Sequence, residues 1–137
     1  MISINFGFVF LAAVVGFIVG FLLHGPLLGK MWMRLAGIVP TGNEKFADMI
    51  PQMVWNLVVN IVTAYGIALL AVLTNASLGN WGSTLHVMIV ATLVWGFFTI
   101  PATSMEVIWM GKKFPLWLFD LFASLVVMLA MGITVAL

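Results

Sequence analysis

The sequence predicts an all-α integral membrane protein with four transmembrane helices and a short interfacial amphipathic helix after the first span. Three observations carry this reading. Four long apolar runs divide the chain. Only 7% of its 137 residues are charged, against 64% hydrophobic, with a mean hydropathy of +1.25. A water-facing surface normally draws on roughly 25% charged residues, so a membrane must replace most of the solvent. Finally, all five Lys and Arg lie in two of the three stretches between the runs: Lys30, Arg34 and Lys45 in the first, Lys112 and Lys113 in the third. The second, residues 75–83, has none. In a four-span protein the first and third loops share a side, and short loops rich in Lys and Arg stay cytoplasmic. The expectation is one membrane domain over 1–137 in the cell membrane, of the bacterial inner-membrane type, with both termini outside.

The first span is expected over residues 4–24. A secretory signal needs a basic region ahead of a short apolar stretch. Here the first cation is Lys30, so the run reads as a retained helix. Ala12, Gly16 and Gly20 recur at four-residue spacing and form a stripe of small residues. Such a stripe admits a close neighbour, either another helix of the same chain or a second copy. Gly25-Pro26 ends the helix, because proline removes a donor and clashes with the preceding turn.

Residues 27–37 read as the interfacial helix. Leu27, Leu28, Met31, Trp32 and Leu35 recur at helical spacing beside the basic pair Lys30 and Arg34, which is the pattern of a helix lying at headgroup depth. Pro40-Thr41-Gly42-Asn43 predicts a turn. The second span follows over 51–73, with Pro51 in its first turn, where proline is tolerated. Asp48, Gln52, Asn56, Asn60 and Thr63 lie at spacings of four, four, four and three; on a 3.6-residue helix they stay within roughly 120° of arc.

The third span, 85–107, gathers Thr92, Gly96, Thr99, Thr103 and Glu106 within about 80° on the same arithmetic. Pro101 lies among them and predicts a kink. His86 stands alone at the opposite end. The fourth span, 115–137, carries Asp120 and Ser124 one turn apart.

Three of the four spans thus place polar groups in the half nearer the basic loops. Intramembrane polar groups normally face a partner or water. The candidate polar core comprises Gln52, Asn56, Asn60, Thr63, Thr99, Thr103, Glu106, Asp120 and Ser124. Its functional reading is a cytoplasm-facing site for a solute, ion or lipid headgroup. Its structural reading is hydrogen bonding between helices, with Glu106 and Asp120 paired to nearby lysines or Arg34.

Other classes find less support. Without cysteine there is no disulfide or thiolate chemistry. His24 and His86 lie at opposite ends and cannot share a metal, and no cofactor motif is present. His24 is placed to cap the first span or to contact Glu106 or Asp120. Five scattered cations make no nucleic-acid groove. Phosphate-loop, G-x-S-x-G and H-E-x-x-H motifs are absent, so an enzyme is not expected. Trp32, Trp81, Trp109 and Trp117 fall near predicted interfaces, as an aromatic belt requires. Trp55 and Trp95 are expected to fill the bundle.

The segment from His24 through Gly25, Pro26, Leu27, Leu28, Gly29, Lys30, Met31, Trp32 and Met33 to Arg34 resembles the signature of a membrane family, domain-of-unknown-function family 1761. Its members typically carry a Trp/His-Gly/Ser-Pro-Leu turn and a Gly-Lys-x-Trp-Met stretch. A later Pro precedes a Gly-basic loop and an apolar last helix. Pro101, then Gly111-Lys112-Lys113-Phe114-Pro115-Leu116-Trp117-Leu118, is similar to that later part. Where the family often has Glu-Gly-Arg, this chain has Met110-Gly111-Lys112. The resemblance implies length, four spans and topology, and no chemistry. Two functions follow as expectations: a homo-oligomeric protein that binds or transports a small solute, ion or lipid, or a non-transporting accessory subunit whose polar core specifies packing.

Overall fold

The structure is a computed structural model that describes residues 4–78 and 83–137. Among the described residues it is helical, without strands. Helix α1 spans Phe6–Leu22 and starts at Asn5, whose side-chain oxygen accepts from the Gly7 amide at 2.9 Å. It then kinks within Leu23–Leu27, where Gly25 leaves helical geometry at φ −116° and ψ −107°. Helix α2 is Gly29–Ala36. A Cβ at Gly29 would lie 2.7 Å from the His24 carbonyl oxygen, so only glycine lets the chain double back this closely. Gly37, at φ 72°, closes α2 in the left-handed conformation favoured by glycine.

Helix α3, Phe46–Leu78, is longer than its apolar stretch. It begins five residues before position 51, so Pro51 lies inside the helix. Asp48 sits in the first turn, where a carboxylate suits the helix dipole. Helix α4, Ser83–Val94, passes into α5, Ile100–Met110, through a widened turn, Trp95–Thr99. There the Ile100 amide reaches back five residues to the Trp95 carbonyl. This one-residue bulge lies immediately before Pro101. Helix α6 is Phe114–Val135. Four stretches are long and apolar enough to cross a membrane: Phe6–Leu27, Phe46–Asn75, Thr84–Met110 and Phe114–Val135.

Helix α1 packs against both α3 and α6, and α6 also packs against α4. The core lies towards the end that holds His86. It joins Ala12 and Ala13 of α1, Ala64, Ile67 and Ala68 of α3, Ala91 of α4 and Met131 of α6. Small residues dominate the contact, so the backbones approach closely. The Ala12/Gly16 stripe is therefore spent within the chain: a Cβ at Gly16 would fall 2.7 Å from Met131 Cγ.

The opposite end is built differently. No residue of α3 from 46 to 59 is buried, and none of α5. The first half of α3 stands off from α1 and α6 across a cavity. A small second core, Leu23, Phe119 and Ala123, is covered by Leu28, Trp32 and Leu35 of α2. Lys30 and Arg34 stay exposed on the other side of α2. Trp55 does not fill the bundle: it is 70% exposed, because it lies about 100° around α3 from Asn56, on the outward flank. Trp95 does pack against the core, and Trp81 lies outside the described residues.

Candidate functional site

Where the first half of α3 leans away from α1 and α6, it leaves a wedge-shaped cavity of about 650 Å³. The polar stripe of α3 faces into it: Asp48, Gln52, Asn56 and Asn60 line one wall. Asn60 marks the closed end and is buried; its amide nitrogen donates to Asn56 Oδ1 at 3.1 Å. Asp120, Ala123, Ser124 and Val127 of α6 form the second wall. Gly16, Phe17, Gly20, Phe21 and His24 of the first span form the third, with Trp32 at the mouth. A volume of this size, apolar with a few convergent polar groups, is typical of small-molecule sites.

An ion-pair network borders the wedge at Asp120. Lys112, in the loop between α5 and α6, reaches Asp120 Oδ2 at 2.8 Å and Glu106 Oε2 at 2.6 Å. Burial alone would lower the basicity of this lysine. The hydrogen bonds and charges of Asp120 and Glu106 outweigh that effect and hold its pKa above the usual lysine value. On the wedge side, His24 Nε2 stands 3.7 Å from Asp120 Oδ1, while its Nδ1 lies 3.0 Å from the Gly20 carbonyl oxygen. The His24 ring meets Trp32 and Phe119 edge-on, which fixes its orientation.

Of the nine candidate core residues, Gln52, Asn56, Asn60, Asp120 and Ser124 come together at the wedge. Thr63, Thr99, Thr103 and Glu106 do not line it. Thr63 donates to the Val59 carbonyl at 2.9 Å, and Thr103 donates to that of Thr99 at 2.8 Å while accepting from Trp117 Nε1 at 3.0 Å. Ser124 belongs to both groups: it lines the wedge, yet it donates to Leu121 O and accepts from Trp95 Nε1. Within the family-like motif the roles divide. His24 and Trp32 line the wedge, Gly25, Pro26 and Gly29 shape the turn, and Lys30 and Arg34 are exposed.

The aromatic and methionine walls, Phe17, Phe21, Met49 and Met53, were not among the expected site residues. One signal for them existed. His24 continues the four-residue spacing of Gly16 and Gly20, so that face of the first span points one way along its whole length.

A smaller cavity, about 330 Å³, opens at the far end beside Asn5, Asn75 and His86. His86 is buried and links α4 to α3. Its Nε2 is 3.0 Å from Ala71 O and 3.1 Å from Thr74 Oγ1. Thr74 already donates to Leu70 O, so both neighbours accept and Nε2 carries the hydrogen. Among the described residues no three of His, Cys, Asp and Glu are grouped to hold a metal ion.

The chain belongs to the family described as protein of unknown function (DUF1761), whose model matches residues 8–136. No curated protein and no solved structure matches it.

Proposed function

We propose that this chain is a multi-pass membrane protein that binds a small amphipathic solute or a lipid in the wedge between α1, α3 and α6. The two basic loops lie in the cytoplasm and both termini outside, so the wedge occupies the cytoplasmic half of the bilayer. One observation carries the reading. Six polar side chains from α3 and α6 converge on a cavity of about 650 Å³ that the chain's own packing leaves open. A helix whose polar face served packing alone would place that face against a neighbour. Here residues 46–59 of α3 include no buried side chain.

The small-residue core closes the wedge at Asn60, so one chain offers a binding chamber without a through-path. Transport would require a second copy, for which the exposed apolar side chains of α3 and of the widened turn before α5, such as Val58, Val62, Phe97 and Phe98, are available. The accessory-subunit reading draws support from the hydroxyls of α4 and α5. Thr92, Thr103 and Ser104 donate to carbonyls of their own helix and leave little free for a ligand.

The absence of native cysteine makes single-cysteine variants clean reporters. In inverted vesicles, a charged methanethiosulfonate should react with Asn56→Cys in the wedge and leave Val62→Cys, on the outward face, unmodified. Lys45→Cys and Lys113→Cys should react from the same side. Equal inertness of Asn56→Cys and Val62→Cys would make the wedge dry and end the binding proposal. Labelling of Lys45→Cys from outside would reverse the orientation.

A further inference from the structure

We infer that the wedge selects an organic cation with an apolar body, taking Asp48 and Asp120 as its counter-charges; this rests on the binding reading above. Two carboxylates line the cavity and no Lys or Arg does, although all five cations of the chain lie at this end. Lys30 and Arg34 are exposed on α2. Lys112 touches Asp120 from outside the wedge, but one ammonium serves two carboxylates, and the trio with Glu106 keeps a net negative charge.

Asp120 Oδ1 is left facing the cavity. His24 Nε2 stands 3.7 Å from it, beyond hydrogen-bonding range. Asp48 makes no ion pair among the described residues. Asn60 adds a neutral acceptor at the closed end: its amide nitrogen is bonded to Asn56, and its oxygen accepts from no described residue.

The rest of the lining suits the body of such a ligand. Phe17, Phe21 and Trp32 present aromatic rings, which attract cations through their faces, and Met49 and Met53 are flexible and polarisable. Asp48 is exposed at the mouth and Asp120 is half-buried, so both attract a cation and repel an anion of the same shape, while a neutral ligand loses the charge term.

The test compares three ligands of similar shape on the purified full-length protein in detergent: tetraphenylphosphonium, neutral triphenylphosphine oxide and anionic tetraphenylborate. The readout is the ligand-dependent rise in melting temperature, with binding to protein-free micelles subtracted. The cation alone should stabilise the protein. Asp48→Asn, which breaks no ion pair, should weaken its binding by up to about fivefold, the factor equivalent to a solvent-accessible charge pair. Asp120→Asn should weaken it further, and Met53→Trp, which fills the wedge, should abolish it.

If all three ligands bind alike and Met53→Trp still blocks them, the cavity binds and its charge selectivity is overturned. If none binds to a protein that circular dichroism shows to be folded, the binding reading fails as well. Displacement of the phosphonium by short-chain phosphatidylethanolamine, and not by phosphatidylglycerol, would identify a lipid amine as the source of the cation. Lack of displacement would point to a free amine. Either result leaves the cation assignment standing.

Discussion

Gly16 and Gly20 are one turn apart on the same helix, yet alanine should act on them in opposite directions. A Cβ at Gly20 meets only Val127 Cγ2 at 3.7 Å, an ordinary contact, so Gly20→Ala carries the helix-propensity gain of about 0.5–1 kcal/mol with little against it. A Cβ at Gly16 would stand 2.7 Å from Met131 Cγ and 2.8 Å from its Sδ. Cγ is close to the backbone, and Met131 is 1% exposed, so the side chain has no room to swing away. Overpacking of this kind costs ~1–3 kcal/mol. Less the propensity gain, Gly16→Ala should destabilise by up to about 2.5 kcal/mol. Thermal unfolding in detergent followed by tryptophan fluorescence would register shifts of roughly 2–4 °C per kcal/mol. The cause is isolated by a cycle with Met131→Ala, which removes both clashing atoms: the double variant should be more stable than the two single losses imply. Equal shifts at the two glycines, or strict additivity in the cycle, would refute the close α1–α6 approach.

Two ion-dependent predictions follow from the loops. Lys112→Met should cost about 1–2 kcal/mol, below the range for a fully buried pair because Glu106 is 41% exposed. Since the folded lysine is more basic than the unfolded one, its contribution is complete below about pH 10.5 and disappears as pH rises through the folded value. Lys112→Arg should keep the neutral-pH stability and remove that alkaline loss; identical alkaline melting profiles for wild type, Arg and Met variants would show that the network contributes nothing. In the 37–45 loop, the Glu44 carboxylate accepts from the Thr41 amide and hydroxyl and from the Gly42 amide. The Thr41 amide above all holds its pKa below the usual carboxylate value. The loop should therefore stay ordered above about pH 4.5 and loosen only as the more acidic folded group takes up its proton. Glu44→Gln should speed hydrogen exchange at Thr41 and Gly42 at neutral pH, and unchanged exchange would refute the role.

The four helices were legible because apolar run length and the positions of Gly and Pro report directly on where a helix is apolar and where it must break. The true length of α3 was not. Its polar ends, Asp48 on one side and Thr74 with Asn75 on the other, continue the helix past the apolar stretch, and hydropathy does not distinguish a polar helical turn from a loop. The α3 half of the site was legible from the four-residue spacing of Gln52, Asn56 and Asn60. The threonines of both α3 and α5 misled, because a threonine on a polar stripe satisfies itself as readily by bonding to the carbonyl one turn back. Thr63 and Thr103 do this, and periodicity carries no sign of it. Trp55 shows the same limit in another form: depth along a span says nothing about which flank a side chain takes.

The two ends of the bundle are held by different forces, and that difference places the site. Towards His86, alanines and glycines bring α1, α3, α4 and α6 into contact, and any cavity there is narrowed by backbone proximity. Towards Lys112, α5 has no buried residue and is tied to α6 by the Glu106–Lys112–Asp120 bridge and the Trp117–Thr103 hydrogen bond. The first half of α3 has no comparable tie, and its amides turn instead towards a space they share with Asp120. Asp120 thus stands where both arrangements meet: one oxygen holds the α5 loop through Lys112, and the other looks into the wedge. Substitutions near Ala12 or Ala68 should register in stability alone. Those at Asp120 should register in both stability and binding, and those at Asp48 in binding with little change in stability. That three-way separation is the signature of a cavity left open by the fold, as opposed to a polar seam that holds it together.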